Sequence, residues 1–395
     1  MIDKLIEDNK IEIFFQPIVS IKNKKVFALE ALTRAYDENN DFISPMYLFE
    51  QAKKEQLANK LDSYVRELAL KKFLEYHKKN KEILLFLNFE SSFIDSQEYD
   101  QFILVVKKYN INTSNIVLEI KEDEIKNNSS IKRFVDLYRK NGFIIAIDDF
   151  GTGYSSFDRL SLIKPDIVKI DRSLIYNINK NFINSEILSA VSNMCHNIGA
   201  IVLAEGVEGK DEILNCMQKD IDIFQGFYFS KPKKQIDILT HDIVDELIDD
   251  IGKRYKQNIS DVINSKKIIL EESKELSKEI VQIFNLQYLS PSSKLKKIIA
   301  EHEKLEAIYT IDFTTGLQKN DTIINIKEST LFNPSKDGHD HNLKEYYFIA
   351  KHSSRYDYLS TTYVSKASGN KCRTYSSIVQ INNLKYILCL DIKTS

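Results

Sequence analysis

Residues 83 to 225 alternate short apolar runs with amphipathic stretches, and few architectures accept that pattern. The runs at 83–88, 116–120, 143–148, 166–170, 201–205 and 221–225 have the length of buried strands, and the stretches near 98–108, 130–140, 184–197 and 210–218 have helical periodicity. Two earlier runs, 11–19 and 25–32, join through Lys22-Asn23-Lys24 and predict a hairpin. Helices are expected over 46–54 and 62–77. Repeated β–α alternation requires a parallel sheet covered by helices. An open sheet gathers its ligands at one crevice, whereas a barrel gathers them from every strand onto one face. The strand ends decide between the two, because they carry Glu30, Asn88, Glu119, Asp148 with Asp149, Lys169, Glu205 and Gln225. Polar residues with ligand chemistry end one strand after another, which predicts an α/β fold of the TIM-like (β/α)8 type.

The strand at 143–148 ends in Asp148-Asp149 and runs into Phe-Gly-Thr-Gly-Tyr-Ser-Ser. Adjacent carboxylates at a strand end repel each other unless a cation neutralises them. Mg²⁺, Mn²⁺ and Ca²⁺ prefer such all-oxygen ligands, and Gly151 and Gly153 permit a sharp turn behind the acids. Taken singly, each strand-end acid is an ordinary solvated cap, Lys169 a surface lysine and Asn88 a turn former. Seven of them in order are not. A formal net charge of −2 gives no sign of a protein that coats polymeric nucleic acid. No apolar tract has the length of a membrane span. Residues 1–10 are charged throughout and lack a signal-peptide core. Cys195, Cys216, Cys372 and Cys389 are scattered without metal-site spacing. The expected location is the cytoplasm.

The motifs carry a family resemblance. Glu30-Ala31-Leu32-Thr33-Arg34, Leu87-Asn88, Leu118-Glu119-Ile120, Asp148-Asp149-Phe-Gly-Thr-Gly-Tyr-Ser-Ser, Lys164 to Asp171, Ala204 to Glu208 and Gln225 to Pro232 occur in the order found in EAL-domain proteins. Over 1–236 the chain therefore resembles the bacterial cyclic di-GMP phosphodiesterases. The resemblance implies a TIM-like barrel with one antiparallel strand, two Mg²⁺ or Mn²⁺ ions, inhibition by Ca²⁺, and a homodimer. It implies Glu30, Asn88, Glu119, Asp148, Asp149 and Glu205 as metal ligands. Lys169 would contact the attacking water or the phosphate, Gln225 would lie near that water, and Glu205 is also a candidate general base. Arg34 would hold a substrate phosphate, with Gln16 and Leu32 near guanine and ribose. Glu122 would anchor the mobile loop at 152–156. Two departures stand out: Lys121 occupies a position where the family usually has threonine, and the tryptophan often found near Arg34 is missing. The alternatives are a receptor that binds cyclic di-GMP without turnover and a barrel enzyme acting on another phosphodiester.

Past Pro232 the rhythm changes. Residues 237–305 predict a lysine- and glutamate-rich helical linker, in segments 236–255, 259–289 and 294–305. Residues 306–395 predict a small α+β domain with strands at 307–313, 322–326, 356–364, 374–381 and 384–392. Its first helix is expected to begin near 259. The pattern resembles PAS-like or Cache-like sensor domains, which implies regulation of the barrel by an unknown sensor ligand or protein. His339-Asp340-His341 is expected to be a solvated loop, and Tyr346 and Tyr347 ordinary core residues. No Gly-Gly-Asp-Glu-Phe-like run suggests a cyclase half.

Overall fold

The computed structural model describes residues 1–89, 94, 99–121, 128–152, 157–235, 242–285, 291–325, 333–352, 357–365 and 368–394. They form two compact units, Met1–Asn258 and Ile259–Ser395.

The first unit is a closed barrel. Strands β1 (Ile11–Ser20) and β2 (Lys25–Tyr36) form the expected hairpin, and the two-residue β3 (Phe42–Ile43) adds to the outer end of β2. Then follow β4 (Leu84–Phe89), β5 (Ile116–Lys121), β6 (Ile144–Phe150), β7 (Ile167–Ile170), β8 (Ile201–Ala204) and β9 (Ile223–Gln225). From β2 through β4 to β9 each neighbour is parallel, while β1 closes the ring antiparallel to both β2 and β9. The one reversed strand is the expected one.

Side chains alternate across a strand, so every second residue enters the barrel. One interior layer takes a residue from each strand of the ring: Ile18, Ala28, Phe86, Val117, Ala146, Ile167, Leu203 and Ile223. The outward residues, such as Leu85, Leu87 and Phe89 on β4, pack under the helices. The helix Pro45–Lys54 starts where the sequence provides for it, with the Ser44 hydroxyl accepting from Tyr47 N and proline in the first turn.

One 44-residue helix, Asp242–Asn285, replaces the two segments expected at 236–255 and 259–289. No proline or helix-ending glycine separates them; Gly252 sits within the helix at no steric cost. Ile248 and Ile251 are buried in the hydrophobic core of the barrel unit, so that unit reaches past the expected boundary at 236.

The second unit is an antiparallel sheet of β10 (Leu305–Asp312), β11 (Gln318–Ile324), β12 (Asp357–Leu359), β13 (Tyr363–Val364), β14 (Lys371–Ile381) and β15 (Leu384–Lys393). The order is β11-β10-β15-β14-β12, with β13 on β14. Leu276 and Ile280 of the long helix, with Leu295 and Ile298 of helix Pro291–Glu301, pack against Leu305, Tyr375, Leu388 and Leu390 on one face. Ile311, Ile387 and Cys389 on the other face pack against Tyr347 and Ala350 of helix Glu345–His352. That helix was not expected, and the strand expected at 356–364 is instead two short strands. His341 corrects the solvated-loop expectation: His339 and Asp340 are exposed, but His341 is 3% exposed. Its Nδ1 lies 2.7 Å from the Tyr346 hydroxyl, and its Nε2 lies 2.9 Å from Gln318 Oε1. Partners distant in sequence take the ring out of water.

Candidate active site

The next interior layer is polar. Two residues beyond the apolar layer on each parallel strand lie Glu30, Asn88, Glu119, Asp148, Lys169, Glu205 and Gln225. On β1, which runs the other way, two residues earlier gives Gln16, paired across the ladder with Glu30. The strand period of two thus delivers the whole ring. Glu205 stands just past the end of β8 rather than within it, held by its N–H to Ile170 O at 3.0 Å.

Asp149 breaks the period, since a regular strand would point it outward. The β6–β7 register shifts between Ile147 and Phe150, and Asp149 takes a left-handed φ of 56°. A bulge of this kind re-aims a side chain, and aspartate tolerates the conformation better than most residues. Gly151 follows with φ 106°, where an added Cβ would meet Leu174 Cδ1 at 2.5 Å.

Two groups of acids converge: Glu30, Glu119 and Glu205, and Asp148, Asp149 and Glu205. Within each, one oxygen per residue lies within 4.8 Å of the others. Glu205 belongs to both. Lys169, 1% exposed, sits among them. Its ammonium lies 2.8 Å from Asp148 Oδ1, 2.5 Å from Glu205 Oε1 and 3.9 Å from Glu30 Oε2, and closer still to Glu119 Oε1. Burial alone would lower the Lys169 pKa, but Asp148, Glu119, Glu205 and Glu30 outweigh it and hold the ammonium well above its usual range. Burial raises Glu119 and Glu205 well above the carboxylate range, with neighbouring acids adding and Lys169 opposing. Burial, then Asp148, raises Asp149.

One ammonium cannot balance Glu30, Glu119, Asp148, Asp149 and Glu205. Buried charge left unpaired is costly. Glu119 Oε2 and Gln225 Oε1 are also buried and accept no hydrogen bond among the described residues. Gln225 donates through Nε2 to Gln16 Oε1 at 3.1 Å and to Glu30 Oε2 at 2.5 Å, which leaves its carbonyl free. Asn88 Nδ2 donates to Glu30 Oε1 at 3.1 Å. An excess of carboxylates with orphaned oxygens fits hard divalent cations.

Above this layer opens a cavity of about 830 Å³. Gln16, Glu30, Leu32, Arg34, Asn88, Asp148, Asp149, Lys169, Glu205 and Gln225 all line it, while Glu119 is buried at 1% exposure. Burial lowers the Arg34 pKa; its Nη1 donates to Thr33 O at 2.7 Å, and its guanidinium lies 5.6 Å from the Phe14 ring centroid. Glu122 and residues 153–156 of the loop lie outside the described residues. The sequence reading missed Asp62 and Arg66, a buried ion pair lining the cavity, and Arg172, which reaches Glu208 Oε2 at 2.9 Å. Their i,i+4 spacing in an expected helix marks the first two. Arg172 directly follows the Lys169-Ile-Asp171 motif.

The EAL domain family matches residues 1–232. The probable cyclic di-GMP phosphodiesterase PdeG of Escherichia coli K12 is 30% identical over 239 residues, 60% of this chain and 47% of that protein. The cyclic di-GMP phosphodiesterase PdeA of Borreliella burgdorferi is 28% identical over 233 residues, 58% of this chain and 35% of that protein. The chain thus spans half or less of the length of these relatives. Among solved structures, Bacillus subtilis YkuI, with an EAL domain and in complex with substrate c-di-GMP and calcium, superposes with a TM-score of 0.81 at 22% identity. That match covers 100% of this chain and 98% of YkuI, and it establishes a shared fold in both units. The EAL enzyme Bd1971, bound to cAMP and cyclic-di-GMP, gives a TM-score of 0.55 at 25% identity over 63% of this chain and 67% of that one. With the family matched over residues 1–232, more than half of its length, this chain belongs to the EAL domain family.

Proposed function

We propose that the barrel hydrolyses cyclic di-GMP to linear diguanylate in a metal-dependent reaction. The observation that carries this reading is the unbalanced carboxylate layer, two groups of acids sharing Glu205, beneath a cavity that contains Arg34. Relatives named as cyclic di-GMP phosphodiesterases, and a structural neighbour solved with that nucleotide, support it.

Two Mg²⁺ or Mn²⁺ ions, when bound, would supply charge for the phosphoryl oxygens and acidify the attacking water. Glu30, Asn88, Glu119, Asp148, Asp149 and Glu205 would hold them. Asn88 adds a neutral oxygen and so limits the charge of the set. Lys169, locked by its carboxylates, would donate toward the water or the phosphate, and Glu205 or a hydroxide would serve as the base. Gln225, fixed through its amide nitrogen, offers Oε1 to orient the water. Arg34 would grip a phosphate through its planar fork, with Leu32 and Gln16 beside the nucleoside. Ca²⁺ should inhibit, because it tolerates looser geometry.

The second unit would act as a sensor of PAS-like or Cache-like type, and the protein would work as a cytoplasmic homodimer. Phe157, Tyr176, Ile183 and Ile187 are 63%, 55%, 68% and 43% exposed on elements that follow the Asp148–Asp149 turn, and exposed apolar side chains of this size suit self-association.

The test is product analysis of the full chain with cyclic di-GMP and other cyclic nucleotides, with Mg²⁺ and with Mn²⁺. Linear diguanylate is expected. Tight binding without turnover under either metal would make the protein a receptor. Turnover of another cyclic nucleotide in preference would change the substrate.

A further inference from the structure

The cations around the cavity differ in how they are committed. Lys169 is held by four carboxylates, Arg172 by Glu208 and Arg66 by Asp62. Lys121 lines the same cavity, is half-buried, and makes no hydrogen bond or ion pair among the described residues. Arg34 likewise has no ion pair there, donating only to Thr33 O.

The position of Lys121 follows from the strand. It is the last residue of β5, two beyond Glu119, so it enters the interior one layer above the acids. Its register partner on β6 is Asp148. Arg34 stands on β2, on the other side of β4, with the strands two steps and on the order of 10 Å apart. Two cations therefore flank the carboxylate layer, and neither is in an ion pair with a carboxylate among the described residues.

We propose that Lys121 is a phosphate-binding residue, holding the phosphodiester that Arg34 does not reach, and that its charge also weakens divalent binding at the Asp148–Asp149–Glu205 group. This rests on the cyclic di-GMP reading, since a ligand with two phosphodiesters is what two separated cations would serve. A lysine suits the task as a point charge on a flexible stem, which tolerates some freedom in the phosphate it meets. The same charge repels a divalent ion drawn to the adjacent acids.

The two effects have opposite signs, and a merely structural role would not produce that pair. Cyclic di-GMP would be titrated into metal-free full-length protein held in chelator, so that no turnover intervenes. Mn²⁺ would be titrated separately into nucleotide-free protein. Lys121→Thr and Lys121→Met should raise the nucleotide Kd about tenfold, while Mn²⁺ binding tightens about threefold. Lys121→Arg should keep both constants within about twofold of wild type. Unchanged nucleotide affinity in both neutral variants overturns the assignment. Loss of nucleotide and Mn²⁺ affinity together would also overturn it, by pointing to a distorted site. Wild-type protein that binds no cyclic di-GMP in chelator would overturn this assignment alone, and failure to bind or convert it with Mn²⁺ added as well would remove the functional reading.

Discussion

Each unit buries a polar cluster, and the two clusters differ in whether they are complete. In the sheet unit, His341 has a partner at each ring nitrogen and stacks on Tyr309 at 5.7 Å. The Gln318 amide nitrogen donates to Asn320 O at 2.9 Å, Thr322 Oγ1 at 2.9 Å and Ser335 O at 3.0 Å. Its Oε1 therefore accepts from His341 Nε2–H, and Nδ1 accepts from Tyr346. His341 Nδ1 and Nε2 and both ends of the Gln318 amide thus each have a partner among the described residues. In the barrel, four carboxyls lie around one ammonium with Asp149 beyond them, and Glu119 Oε2 and Gln225 Oε1 have no donor among the described residues. Burial costs a polar group its water, and a structural cluster restores each hydrogen bond within the protein. A cluster that does not do so is built for something the protein binds.

The comparison breaks most visibly at the acids. Glu30→Ala and Asp148→Ala should each lower turnover by about two orders of magnitude or more, measured as linear diguanylate released with saturating Mn²⁺. The metal-free variants should be no less stable to urea than wild type, since each change removes one like charge from a crowded site. Near-normal turnover in either variant would dismiss the metal assignment. Arg34→Lys comes next: it keeps the charge but loses the fork, so kcat/KM should fall about tenfold while Mn²⁺ affinity holds. Equal kinetics would remove Arg34 from the phosphate.

His341→Ala should show the reverse pattern, with turnover of the barrel retained and the sheet unit destabilised by about 1–3 kcal/mol, read from its urea transition. pH gives this prediction a sign. Burial, with His339 and Lys344 adding, lowers the His341 pKa from 6.5 to about 4. Between those values the unfolded chain binds the proton and the folded one does not. Its contribution is therefore complete above 6.5 and is lost as pH falls through about 4. The difference in stability between wild type and His341→Ala should shrink across that window, and a constant difference would mean the ring is not held neutral. The smallest expected effect is coupling between the units. Truncation after Asn258 keeps Ile248 and Ile251 in the barrel core. It should change turnover or the monomer–dimer balance by a few-fold, followed by sedimentation and kinetics at several protein concentrations. Identical mass and rate for both forms would leave the sheet unit with no regulatory role by this route.

Most of the barrel was legible because its signal is local. Strand period, strand ends and the order of motifs each sit within a few residues, and they placed Glu30, Asn88, Glu119, Asp148, Lys169, Glu205 and Gln225 in one ring. What the sequence hid depends on long-range geometry. Leu343 to His352 is rich in aromatic residues, which masks the helical period of Glu345–His352. The burial of His341 depends on Gln318 and Tyr346, and the bulge at Asp149 leaves no periodic trace.

That bulge bears on how portable the site is. Eight strands of regular register offer one inward residue each per layer, and Asp149 is an additional one obtained by distorting a strand. Copying the side chains onto another eight-stranded scaffold would reproduce the ring and miss this member. A faithful transplant has to carry the left-handed residue, the register slip against β7, and the glycine at 151 that fits beside Leu174.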